Sequence, residues 1–271
     1  MQRRNTMGIR RFGAVNWIGL YELYAREVRR FASIATQTIV APVITAILFM
    51  LVFTLAFGDR RGDAVSAAAG IAFPMFLAPG IVMMQVIQNA FANSSSSLII
   101  AKIQGNIVDT LMPPLSPAEL LAGYALGGAT RGIACAAATA LVIFPAVGVG
   151  LAEPLWALAF VVSASLMLSL LGVLAGIYSD KFDQMASITN FVITPLSFLS
   201  GTFYSIQLLP EPFLTLSHIN PFFYLIDGFR YGAVGVSDAS PVLGLAVTMT
   251  INAALAWLSW RWLRSGYRMK P

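Results

Sequence analysis

The sequence predicts an all-α integral membrane protein with six transmembrane helices, an N-terminal amphipathic interfacial helix, and short re-entrant helices between spans five and six. Three observations carry that prediction. Charged residues make up 11% of the chain and hydrophobic residues 58%, whereas a soluble domain is roughly a quarter charged. The mean hydropathy is +0.76. The apolar residues come in runs of about 20, long enough for a helix to cross a hydrocarbon core of ~30 Å. One membrane domain over residues 1–271 is the simplest organisation.

The first element lies within residues 1–33. Trp17, Leu20, Tyr21, Tyr24, Val28 and Phe31 share one arc at 100° per residue, and Glu22, Arg26, Arg29 and Arg30 take the other side. Such a helix is too polar to span. It is expected to lie along the cytoplasmic headgroup surface, its aromatics in the acyl boundary and its arginines on anionic lipid. A plain soluble amphipathic helix is the other reading of the same pattern. The residues after the basic start include Trp17, Tyr21 and Glu22 instead of a short apolar core with a cleavage site, so a removable signal is not expected.

The first span is expected over 34–57, ending at a turn over 58–63, and the second over 70–91. Pro74 and Pro79 are tolerated in the second because neighbouring helices can satisfy the freed carbonyls. A polar connection over 93–117 leads to a third span over 118–147. The fourth, fifth and sixth follow over 155–178, 185–204 and 241–263. Residues 205–240 are too apolar for a free loop, but Pro210, Pro212 and Pro221 cut them into pieces shorter than a span. Half-helices resting in the membrane on the extracytoplasmic side fit best, and broken apolar segments of this kind line pathways in transporters. A seventh span interrupted by prolines is the alternative.

Six spans put both termini on one side, and lysine and arginine choose that side. Arg3, Arg4, Arg10, Arg11, Arg26, Arg29, Arg30, Lys102, Lys181, Arg261, Arg264, Arg268 and Lys270 fall together, against Arg60, Arg61 and Arg230 opposite. Both ends are therefore expected in the cytoplasm, with Trp257, Trp260 and Trp262 in the interfacial aromatic belt.

The basic residues cluster at the chain ends, with no basic face interleaved with aromatics, so nucleic acid is not the expected partner; the bilayer is. No glycine-rich loop ending in Lys and Ser or Thr is present, so the chain cannot cradle a nucleotide phosphate in the Walker manner. One histidine, His218, excludes a paired-histidine metal site, and one cysteine, Cys135, excludes an intrachain disulfide. Asp180 and Asp183 are the one acidic pair a membrane enzyme could use, though solvating a tight turn is the simpler role. No catalytic residue is expected.

Ionisable groups are costly in lipid and mark function there. Arg131 stands within GGATRG in the third span, where it faces an aqueous cavity, an anionic headgroup or an acid, or else snorkels from a helix that starts deep in the cytoplasm. Gln85, Gln88 and Asn89 form a polar stripe that either lines a pathway or is a wet helix end. Gly123 with Gly127, Gly128 with Gly132, and Gly172 with Gly176 have the spacing that lets helices approach closely.

In AKIQGNIVDTLMPPLSPAE, Ile103, Ile107, Val108 and Leu111 give a short cytoplasmic helix an apolar face before Pro113 and Pro114 stop it. An exposed apolar helix calls for a groove on a separate protein.

The segment NIVDTLMPPLSPAELLAGYALGGATRG resembles the coupling helix and third span of ABC type-2 exporter permeases. DKFDQMASITNFVITPLSFLSGTFYSIQLLP and HINPFFYLIDGFRYG are similar to the fifth span, re-entrant helices and closing motif of that family. The likeness covers nearly the whole chain. It implies a homodimer in the inner membrane, with two copies of a cytoplasmic ATPase, that exports a lipid, glycan or drug-like substrate by alternating access. ATP and magnesium would sit on the ATPase, leaving no cofactor on this chain. By position, Gln104, Gly105, Asn106, Ile107, Val108, Asp109 and Leu111 would form the coupling helix, and Asn220, Pro221 and Arg230 would belong to the re-entrant region. Many relatives carry a charged run before the coupling-helix glycine, where here Lys102 stands nearly alone. From another class, a nucleotide-independent channel or scaffold also fits the scarcity of intramembrane charge.

Overall fold

The computed structural model describes residues 15–57 and 70–268. The predicted turn over 58–63 and the basic residues Arg3, Arg4, Arg10, Arg11 and Lys270 lie outside them. Helix α1 spans Trp17–Ala32 and starts where the Asn16 side chain accepts from the Gly19 amide. A π turn, Thr36–Val40, leads into α2, Ala41–Phe57. Then come α3 (Phe73–Ile103), α4 (Ile107–Leu111), α5 (Pro117–Val147) and α6 (Pro154–Tyr178). A shorter run follows: α7 (Phe182–Ile188), a π turn (Thr189–Ile193) and α8 (Thr194–Phe198). The chain closes with α9 (Phe213–Ile219), α10 (Pro221–Val234) and α11 (Pro241–Ser265).

Among the described residues, five helical segments are long and apolar enough to cross a membrane: Thr36–Ala56, Phe73–Ile103, Pro117–Val147, Pro154–Tyr178 and Pro241–Ser265. The predicted fifth span, 185–204, takes the form of the shorter run α7–π–α8. It ends early because Leu199 leaves helical geometry and Gly201 adopts φ +72°, a left-handed conformation that suits glycine.

The second predicted span also changes. Sequence reading ended it at 91 and gave 93–117 to a polar connection, whereas α3 continues as helix to Ile103. Its serine run is polar by composition but not by surroundings. Ser94 bonds the Ser169 hydroxyl and the Tyr124 carbonyl, Ser95 donates to the Phe91 carbonyl, and Ser97 donates to Glu27. Side chains that satisfy each other inside a bundle need no loop.

Helix α3 is the central post, its residues Phe76, Ile81, Val86 and Ile87 packed with Phe160, Met167 and Leu168 of α6 and with Phe222 and Ile226 of α10. On α2, Ile44, Leu48, Leu51, Val52 and Leu55 are exposed. That is the pattern of a helix whose outer face meets lipid or another chain.

Between helices in lipid the hydrophobic effect supplies little drive, so close approach of small residues has to hold the bundle. The three glycine pairs each serve a different seam. Gly123 and Gly127 admit Leu23 and Glu27 of α1, Gly128 and Gly132 admit Ser169 and Ser165 of α6, and Gly172 and Gly176 of α6 lie on the Phe91 carbonyl and Leu98 of α3. A Cβ at Gly172 would stand 2.5 Å from that carbonyl oxygen.

Candidate functional site

Three arrangements of polar side chains sit at different heights in this bundle. The first ties α1, α3, α4 and α5 together. Gly105, at φ +75°, turns the chain out of α3, and α4 follows with Ile107 and Thr110 buried and Val108 and Leu111 exposed. Gln104, Gly105, Asn106 and Asp109 are all exposed around it. The buried side is anchored by charge: Arg26 Nη1 donates to the Thr110 hydroxyl at 3.2 Å, and its Nη2 donates to the Tyr124 hydroxyl at 3.1 Å.

Glu27 is the centre of this network and was not singled out by sequence reasoning. Its side chain is 1% exposed, lies 3.0 Å from Arg30 and 3.4 Å from Arg26, and accepts from Ser97 at 2.7 Å. Arg30 in turn donates to the Asn93 carbonyl and to Ser96. Arg26 and Arg30, expected on anionic lipid, stay 49% and 31% exposed but turn part of their guanidinium groups to Glu27, because a buried carboxylate must be paired and hydrogen-bonded. Trp17 and Tyr21 of the predicted apolar arc are exposed, while Phe31 is buried in protein. The available signal was one acid flanked by arginines one residue before and three after it, opposite a glycine that leaves room for its Cβ.

At the same end, Glu119 accepts from the Ser116 amide, closing a capping box, and also from the Asn16 amide. Lys102 donates to the carbonyls of Ile177 and Ser179 and pairs with Asp180 at 3.2 Å. It caps the end of α6, whose last carbonyls lack intrahelical donors. Arg268 donates to the Tyr178 carbonyl and approaches Asp180. Asp180 therefore works with two cations at a helix end, and Asp183 has its backbone carbonyl taken by Ser187.

The second arrangement is a cavity of about 500 Å³ among α2, α3, α5 and the α7–π–α8 run. Arg131, singled out from the sequence as a lone cation, and the stripe of Gln85, Gln88 and Asn89 line it together. Arg131 lies near the middle of the 31-residue α5 and donates to Asn89 Oδ1 at 2.9 Å. Asn89 is held in turn by its own bond to the Gln85 carbonyl.

The third lies at the opposite end. Asn220 closes α9 and opens α10, accepting from the Phe222 amide and donating to the Leu196 carbonyl, and Pro221 takes the first turn of α10. Pro there costs nothing, since that N–H has no helical partner. Arg230, counted as a loop cation from sequence, is 1% exposed. It donates to the carbonyls of Phe76 and Gly201 and lies 3.5 Å from Asp227. Asp227 accepts from the amides of Asp238 and Ala239, and Asp238 accepts from Ser205 and Ile206. Burial pushes the Asp227 carboxyl up to about 6, against the pull of Arg230. His218 is exposed and meets Phe223 edge-on at 5.5 Å.

A bundle of membrane helices with a cleft lined in part by Gln85, Gln88 and Arg131, and a short helix held out at one end on a charged brace, fits a transporter's membrane subunit. The chain belongs to the ABC-2 type transporter family, whose model matches residues 19–234, and it is thus a multi-pass membrane subunit of an ABC transporter. It is 36% identical over 250 residues to the inner membrane transport permease YadH of Escherichia coli K12, covering 92% of this chain and 96% of that protein. It is 23% identical over 222 residues to nodulation protein J of Rhizobium leguminosarum bv. trifolii, covering 80% and 81%. Membership in this family implies an ABC ATPase as partner.

Proposed function

We propose that this chain is the permease of an inner-membrane exporter and moves a lipid, glycan or drug-like substrate outward by alternating access. A separate ATPase, holding ATP and magnesium, supplies the work. The supporting observation is α4: Val108 and Leu111 face outward while Thr110 is tied to Arg26. A push on this helix reaches Arg26, passes through Glu27 to the serine-rich end of α3, and changes the packing around the cavity.

The working unit is a homodimer with two ATPase copies. The α7–π–α8 run crosses as the fifth of six spans, since 17 helical residues give about 25 Å at 1.5 Å each. The exposed faces of α2 and of Phe191 and Val192 are available to the second copy. Both termini face the cytoplasm, the side to which the excess of lysine and arginine belongs, and the segment with α9 and α10 folds back on the outer side. The inner-membrane location rests on the named permease of E. coli.

The test is co-purification of the ATPase with wild type and with the double variant Val108→Asp, Leu111→Asp. Helix content in detergent should be retained and the co-purified ATPase should fall at least ten-fold. Undiminished association, or full transport by the chain with no ATPase present, refutes the proposal.

A further inference from the structure

Arg131 is a cation without a carboxylate: among the described residues no acid forms an ion pair with it, and the groups it meets, the Asn89 amide oxygen and the Cys135 thiol, are neutral. Its Nε is buried and has no partner. Glu27 is already committed to Arg26 and Arg30. Arg131 is only partly exposed, and a desolvated guanidinium in a membrane domain is unfavourable without an opposite charge or full hydrogen bonding. An anion that takes up the charge relieves that cost.

A second, independent group points the same way. Gln85 is 2% exposed, lines the same cavity, and its Nε2 has no acceptor. Asn89 cannot serve it, because the Asn89 oxygen takes Arg131 and the Asn89 nitrogen is spent on the Gln85 carbonyl. Among the described residues, no Asp or Glu lines the cavity. It offers unspent donors, one of them on a charged group, and lacks a negative charge to receive them.

Further along the same three helices, α2, α3 and α5, lies an apolar groove of about 590 Å³ lined by Ile47, Met50, Leu51, Met75, Val142 and Ala146. Val142 is 11 residues beyond Arg131 on α5, or roughly 16 Å along the helix. A cleft that carries a cation and carboxamides at one level and an oily groove at the next match a molecule with an anionic head and an apolar tail.

We infer that the cavity of Arg131 and Gln85 binds the phosphate or carboxylate group of an anionic amphiphile, the guanidinium taking the charge and the amide completing the hydrogen bonds. This names the substrate class for the pathway proposed above and rests on that reading. Guanidinium suits the task because its planar fork matches both anions.

The test uses the full chain purified in neutral detergent, with retention of added lipid read by native mass spectrometry. Dioleoyl phosphatidylglycerol should bind at least ten-fold more tightly than dioleoyl phosphatidylcholine, and Arg131→Gln should abolish that preference. Arg131→Lys keeps the charge and should restore part of it. Gln85→Leu, which changes no charge, should weaken binding several-fold, and Arg261→Gln, exposed on α11 and outside the cavity, should leave it unchanged. Inorganic phosphate distinguishes the sources: a lipid ligand resists millimolar phosphate, whereas full displacement by it assigns the anion site to a soluble ligand. Equal retention of the two lipids, or a preference that survives both Arg131→Gln and Gln85→Leu, overturns the inference while leaving ATPase association intact. If Arg131→Gln loses the lipid but ATPase-driven transport continues at full rate, the anion site stands and its place on the pathway falls.

Discussion

The guanidinium carbon of Arg230 lies 3.8 Å from the centre of the Phe76 ring, and the Nε of the same group donates to the Phe76 carbonyl. A residue of α10 thereby clasps the first turn of α3 by face and by backbone at once. The Gly201 carbonyl takes another of its donors at 2.6 Å, so three separate segments of the chain meet on one cation. Cation–π contact of a desolvated arginine contributes ~2 kcal/mol, and the charge-assisted hydrogen bonds add to it.

Removing that clasp leaves Asp227 buried without its cation. Arg230→Met is expected to cost about 3–5 kcal/mol, the usual penalty for breaking one side of a buried pair. A thermal melt in detergent reads the loss directly. Arg230→Lys should recover little, because an ammonium cannot donate in both directions and lie flat on a ring.

Asp227 gives the protein a pH dependence whose sign follows from its raised carboxyl, about 6 in the fold against 3.8 for the ordinary side chain. The folded protein binds this proton more tightly than the unfolded chain. The contribution to stability is therefore complete below pH 4, is lost as pH rises through 4 to 6, and is constant above. Comparing the melting temperature of wild type with that of Asp227→Asn across this range isolates the effect; parallel curves would rule it out.

Glu27 predicts a separation between assembly and coupling. Glu27→Ala leaves Arg26, Arg30 and Ser97 without their shared acceptor and should cost about 1.5–3 kcal/mol. Glu27→Gln keeps the shape and loses the charge. We expect it to hold the ATPase through α4 yet lose most substrate-stimulated hydrolysis, measured on the reconstituted complex. Full stimulation in Glu27→Gln would show that the brace is structural only.

Lys102 predicts the opposite pattern. Since its ammonium is spent on the carbonyls of Ile177 and Ser179, Lys102→Met should lower thermal stability with no change in the amount of ATPase that co-purifies. Its solitary position ahead of the α4 helix thus reports on helix capping, and under the proposed function docking is assigned to the apolar residues Val108 and Leu111.

Much of this architecture was legible before any coordinates. The glycine pairs were visible as spacing, and each marks a seam, but which helix enters each seam was not written beside them. Gln85, Gln88 and Arg131 were singled out separately, as a stripe and a lone cation, and the packing of α3 on α5 brings them to one chamber. The serine run after Asn93 misled the reading, because its composition is that of a loop while its partners are inside the bundle.

The sequence alone determined that the chain lives in lipid, where four of its five described long helices fall, and that a short apolar helix follows Gly105. These are local properties: run length against bilayer thickness, proline and glycine against helical geometry. Tertiary structure decided the fate of the charges. Arg131 meets Asn89 across 42 residues, Ser97 meets Glu27 across 70, and Arg230 meets Phe76 across 154. A buried charge is worth its cost only with a partner in place, and nothing short of the assembled bundle says which partner that is.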